Sequence, residues 1–118
     1  MSFSKATAIQ LWFDYYGNAM YAEDFDGGLM YREAYGDPDY YIFEDGQKIY
    51  CGWNLHHILP KSCGGTSDRS NLLCTNILTN EAAGNKITFW IDNSLYQVKR
   101  NRRWGRYNII RIGEREHE

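Results

Sequence analysis

His56 and His57 stand side by side in Trp53-Asn54-Leu55-His56-His57-Ile58-Leu59-Pro60, with Asn71 fourteen residues after His57 and Asn80 twenty-three after it. Gly64-Gly65-Thr66, a turn signal, lies between them. Imidazole is the side chain that titrates near neutrality and can take a proton from water. Imidazole nitrogen and amide oxygen are also donors to divalent cations. A cation so held can draw charge from a phosphate and stabilise a leaving oxygen. This is the equipment needed to cut a phosphodiester. Magnesium keeps several waters and needs only one or two protein ligands, so a sparse donor set suffices. Taken singly, each residue is ordinary: histidine pairs are common, and asparagines more often cap or turn. The joint spacing is what points to chemistry.

The elements that must carry these residues can be read around them. Lys48 to Cys51 and Asn54 to Leu59 read as extended segments, residues 64–68 as a loop, Asn71 to Cys74 as a short strand. Asn76 to Lys86 reads as a short helix capped by Asn76 or Thr79. Adjacent strand residues point to opposite faces, so His56 and His57 reach one phosphate only at a bulge or at the strand's end. Upstream, Ser4 caps a helix over Lys5–Tyr16 with Ile9, Trp12, Phe13 and Tyr16 on one face, ended by Gly17-Asn18. Short helical turns are expected near Ala19–Ala22 and Leu29–Tyr35, and a loop of unreadable path over Asp37–Asp45. Downstream, Ile87–Ile91 and Leu95–Arg100 read as strands joined by Asp92-Asn93-Ser94, and a last strand falls within Trp104–Ile112.

The pattern His-His-Ile-x-Pro, Gly-Gly-Thr, Asn-Leu and Asn, with Pro60, Gly64, Gly65 and Leu72 in place, resembles the HNH or ββα-metal nucleases, in particular short single-domain proteins of phages and bacteria. The likeness covers about Trp53 to Lys86. It implies an α+β fold: a ββα-metal (His-Me finger) core over residues 51–86, an N-terminal helical and loop wrap over 1–50, and C-terminal β-strands with a basic segment over 87–118, all one domain of 118 residues. It implies a metal-dependent DNA endonuclease, with His57 as general base, His56 and Asn80 as metal ligands, and Asn71 as a catalytic-loop brace. Magnesium is the expected metal. Many relatives carry Asp where His56 stands, and a neutral imidazole shifts preference somewhat toward manganese, nickel or zinc. The cysteine pairs that staple many relatives are absent, leaving packing by Trp53, Leu72 and Ile77, the N-terminal helix or the C-terminal strands to replace them.

Charge is uneven along the chain. The net is only −2, but residues 1–50 hold three basic and nine acidic side chains, whereas residues 51–118 hold ten basic and six acidic. Lys99, Arg100, Arg102, Arg103 and Arg106, interleaved with Trp104 and Tyr107, suit a backbone-gripping arm. Lys61 and Lys86 could reach neighbouring phosphates. The expected partner is double-stranded DNA. The alternative is a non-catalytic binding or inhibitor protein, docking a protein partner through the acidic N-terminal half, with Asp14, Glu23, Asp24 and Asp26 on its face. A third reading is a structural zinc held by His56 and cysteines. Three cysteines without CxxC spacing argue against a disulfide framework. The first residues lack a signal-peptide core and no apolar run approaches ~20 residues, so a cytoplasmic protein without membrane contact is expected.

Overall fold

The computed structural model describes residues 3–116. The chain gathers into two compact units: one comprises the residues up to His56 with Cys74–Asn80, the other His57–Leu73 with the residues from Glu81 onward.

The first unit starts with helix α1, Lys5–Tyr16. Ser4 caps it, its hydroxyl oxygen accepting from the Thr7 N–H at 3.2 Å, and Gly17 at φ 60° ends it. These are the limits that the sequence predicts. The buried stripe is not the expected one: Ala8, Leu11 and Trp12 are buried, whereas Phe13 is exposed and carries the Arg32 guanidinium over its ring. Trp12 decides the orientation. Its indole donates to the Ala19 carbonyl at 2.8 Å and packs 5.0 Å from Trp53. Trp53 donates in turn to the Tyr31 carbonyl. Both indole N–H groups are thereby satisfied inside an apolar cluster, where an unmet donor would be costly.

Two hairpins follow where short helical turns and a loop were expected. Strands β1 (Tyr21–Glu23) and β2 (Leu29–Tyr31) pair antiparallel, and β3 (Tyr41–Glu44) pairs antiparallel with β4 (Gln47–Tyr50). Asp45 and Gly46 both hold positive φ, 51° and 77°, between the Glu44–Gln47 pair. That is the two-residue turn that matches strand twist. The expected helical turn at Leu29–Tyr35 shrinks to a 3-10 turn at Arg32–Ala34.

Strand β5 (Trp53–His57) pairs with β6 (Leu72–Asn76), and helix α2 (Ile77–Ala83) follows. Asn76 caps that helix, its side-chain Oδ1 accepting from the Leu78 N–H at 2.9 Å. The second unit ends in a three-stranded antiparallel sheet, β7 (Thr88–Ile91), β8 (Ser94–Arg100) and β9 (Tyr107–Glu114), in the order β7-β8-β9. Phe89, Ile91 and Tyr96 form its buried face.

The expected fold class is overturned. Among the described residues nine strands in small sheets stand against two helices, the longer helix comes first, and the strands follow it. The molecule is mostly β, not an α+β fold built on a ββα-metal core. The cause lies largely in residues 21–50, where β-prone aromatics and turn glycines make hairpins instead of a helical wrap. No helix among the described residues is long and apolar enough to cross a membrane.

Candidate functional site

His56 lies inside β5 and is buried, at 6% exposure. Its Nδ1 approaches the Asn80 Oδ1 at 2.6 Å. Asn80 reaches it from α2, twenty-four residues along the chain. Burial pulls the His56 imidazole below its ordinary value, partly opposed by the Asn80 contact. Burial thus favours its neutral form, the state in which imidazole binds metal. Without a cation, Nδ1–H donates to the amide oxygen. Both atoms are of the kind that coordinate divalent cations, and these two residues would hold one together. The donor set is uncharged and mixed nitrogen–oxygen, which suits manganese, nickel or zinc at least as well as magnesium. The pair offers two uncharged donors of a kind that divalent ions take. Among the described residues no three His, Cys, Asp or Glu side chains gather as a metal site. His56 and the cysteines therefore form no zinc cluster there.

The second unit holds His57, the last residue of β5. It is half-buried, and its Nε2 lies 3.0 Å from the Ser67 hydroxyl. A hydroxyl can serve either tautomer of the ring. Ser67 was not singled out from the sequence; its place in the turn segment 64–68 was the only sign of it.

Asn71 is buried and ties the chain just beyond His57. Its Oδ1 accepts from the Leu59 N–H at 2.9 Å, and its Nδ2 donates to the Leu59 carbonyl at 3.0 Å and the Thr66 carbonyl at 2.7 Å. Its own carbonyl accepts from the Ile58 N–H at 2.8 Å. One carboxamide thus closes the loop from Ile58 to Ser70 onto the end of β5. Gly65 is required for this closure, because a Cβ there would run into the Leu59 carbonyl and meet the Asn71 amide.

The seven basic candidates, Lys61, Lys86, Lys99, Arg100, Arg102, Arg103 and Arg106, are all exposed and all belong to the unit that holds His57. Lys61 opens a 3-10 turn at Lys61–Cys63. Lys86 stands beyond the end of α2, not on it, because the helix stops at Ala83 and Gly84 takes φ 56°. Lys99 and Arg100 end β8, and the three remaining arginines sit in the turn before β9. Arg106 shares a cavity of about 220 Å³ with Gly64, Thr66, Ser70 and Asn71. Lys61 and Lys86 do not line it.

Asn76, expected only as the cap of α2, and Asp24 together hold the start of that helix, a role not read from the sequence. Asp24, offered above as part of an exposed acidic face, is 7% exposed. Its Oδ1 accepts from the Asp26 and Gly28 N–H groups at 2.9 and 2.7 Å, and its Oδ2 from the Asn76 N–H at 2.9 Å. Asn76 donates to the Leu29 and Tyr50 carbonyls at 2.8 and 2.9 Å. Together they fix the start of α2, and hence Asn80, to both hairpins. Cys51 and Cys74 are buried free thiols, and burial lifts the Cys74 thiol to about 12. Comparison with family models, curated proteins and solved structures gave no match to this chain.

Proposed function

We propose that this chain is a divalent-metal-dependent endonuclease that hydrolyses phosphodiester bonds in DNA, in line with the resemblance of its histidine–asparagine motif to HNH nucleases. The observation that carries the reading is the 2.6 Å approach of the buried His56 ring to the Asn80 amide oxygen. His56 Nδ1 and Asn80 Oδ1 would hold the ion. When bound, it supplies charge neutralisation at the phosphate and stabilises the leaving oxygen. His57 follows His56 by one peptide bond, and its imidazole takes the proton from the attacking water. Asn71 acts through His57: by locking Leu59 and Thr66 it fixes the chain into which β5 runs. Arg106 and its basic neighbours grip phosphates along the strand, without regard to base sequence.

The test is nicking of supercoiled plasmid with magnesium, manganese, nickel or zinc, and with chelator. Wild-type protein is expected to nick only with metal. His57→Ala should lower the rate by about 10²–10⁴-fold with an unchanged circular dichroism spectrum. His56→Ala and Asn80→Ala should raise the metal concentration needed. Full activity in His57→Ala, or nicking indifferent to chelator, refutes the assignment.

A further inference from the structure

The turn between β8 and β9 is built to present one aromatic ring. Asn101 N–H donates to the Arg106 carbonyl at 2.7 Å, and the Gly105 N–H to the Asn101 carbonyl at 2.8 Å. The Asn101 side-chain oxygen accepts from the Arg103 N–H at 3.0 Å and, more weakly, the Trp104 N–H at 3.4 Å. The backbone is thus tied into a closed tip with Gly105 at φ 66°. Trp104, on that tip, is 66% exposed. A tryptophan that served the core would be covered, as Trp12 and Trp53 are at 0%. The Arg103 guanidinium lies 5.2 Å from the Trp104 ring and leaves most of it uncovered.

Beside the ring is a depression of about 360 Å³ whose walls are Trp104, Asn101, Asn108 and Arg106. One π-face, two carboxamides and a guanidinium are the groups that recognise a nucleobase: the ring stacks on it, and the amides and guanidinium meet its polar edge. The tip's own charge favours a polyanion, with Asp68 the acidic residue that shares the neighbouring cavity with Arg106. No carboxylate occurs between Asp92 and Glu114, while Lys99, Arg100, Arg102, Arg103 and Arg106 crowd the tip. A base paired in a duplex cannot offer its face to an indole, because its neighbours already stack on it.

We propose that the β8–β9 tip is a binding site for an unpaired nucleobase, so that the favoured substrate carries a single-stranded segment. The inference rests on the nuclease reading for the choice of nucleic acid as ligand. Trp104 supplies stacking, Arg106 and its neighbours supply phosphate contacts, and the two asparagines line the base's edge.

The experiment is fluorescence anisotropy in chelator, where no cleavage occurs, with a labelled single-stranded oligonucleotide, the blunt duplex of the same sequence, and a forked duplex. Wild-type protein should prefer the single strand and the fork over the blunt duplex. Trp104→Ala should weaken single-strand binding about tenfold while changing duplex binding by less than about twofold, and Trp104→Phe should restore most of the loss. Arg106→Gln should weaken all three and flatten the salt dependence by about one unit of slope. Equal losses on single strand and duplex, or no loss in Trp104→Ala, overturn the proposal. So does competition by heparin as effective as that by the single strand, which would mark a general polyanion surface. Base-dependent binding without any plasmid nicking would leave this site standing and remove the nuclease reading; nicking with a silent Trp104→Ala would do the reverse.

Discussion

Asn71→Ala isolates what the loop clamp contributes. The substitution strands the Leu59 N–H and the Leu59 and Thr66 carbonyls, which the carboxamide meets at 2.9, 3.0 and 2.7 Å. A buried polar group left without a partner costs about 1–3 kcal/mol. Thr66 is exposed, so water can replace its lost donor, and most of the cost falls on half-buried Leu59. The expected loss is about 3 kcal/mol, which for a chain of this size lowers the melting midpoint by roughly 10 °C. Urea denaturation measures the free energy, and amide exchange locates it: Leu59 should lose protection, whereas Ile58, bonded to the Asn71 backbone carbonyl, should lose less. Asn71→Asp is the sharper control. It keeps an acceptor for the Leu59 N–H but turns a carboxylate oxygen toward two carbonyls, so it should be no more stable than Asn71→Ala at neutral pH. Protonation relieves that repulsion, so its folded-state carboxyl value is raised and stability should return as pH falls through it. Nicking at a temperature where both variants stay folded should still drop, because the chain beyond His57 is loosened. A stability change under about 0.5 kcal/mol would refute the clamp argument.

Two further outcomes follow from the first unit. Burial lowers the His56 value in the folded protein, so the unfolded chain binds the extra proton. His56 therefore contributes stability that is complete above roughly pH 6.5 and declines as pH falls from there through the folded-state value. Urea midpoints across this range should fall with acidification in wild type and fall less steeply in His56→Gln; identical slopes would exclude His56 as the source. Asp24→Ala removes an acceptor shared by three backbone N–H groups, and charged hydrogen bonds are worth about 1.5–3 kcal/mol each, so the loss should be on the order of 4 kcal/mol. Asp24→Asn, which keeps one acceptor oxygen, should lose less. Thermal melts decide both, and a loss below about 1 kcal/mol in Asp24→Ala would mean that water meets those donors.

What could be read from the sequence was what is local. Helix α1 was legible because Ser4 and Gly17 act within a turn of the residues they cap. The β7–β8 hairpin was legible because Asp92-Asn93-Ser94 separates two apolar runs. The hairpin at residues 41–50 had an equally local signal in Asp45-Gly46, and the tyrosines around it obscured a turn that the dipeptide specifies. Strands β1 and β2 are different. Three residues are too few to show an alternation, and their pairing is held by Asp24, whose bond to the Asn76 N–H spans fifty-two residues. No window of sequence contains that contact, so a buried carboxylate read as a surface charge.

The same distinction runs through the candidate site. The spacing of His56, His57, Asn71 and Asn80 was visible as a pattern of residue types, but the contacts among them depend on scaffolding that the pattern does not include. Asn80 meets His56 because α2 begins where Asp24 and Asn76 fix it, and those two residues answer to the hairpins of a mostly β unit. The motif thus picked out His56 and Asn80, which the structure brings into contact, while misjudging the fold that presents them. If the donors' geometry is what matters, loosening the scaffold should harm the site before it harms the fold. In Asp24→Asn, kept at a temperature where it is fully folded, the metal concentration needed for nicking should rise while the circular dichroism spectrum stays unchanged. An unchanged metal requirement in that variant would show that His56 and Asn80 are positioned without Asp24, and the chain of support from hairpin to helix to amide would have to be abandoned.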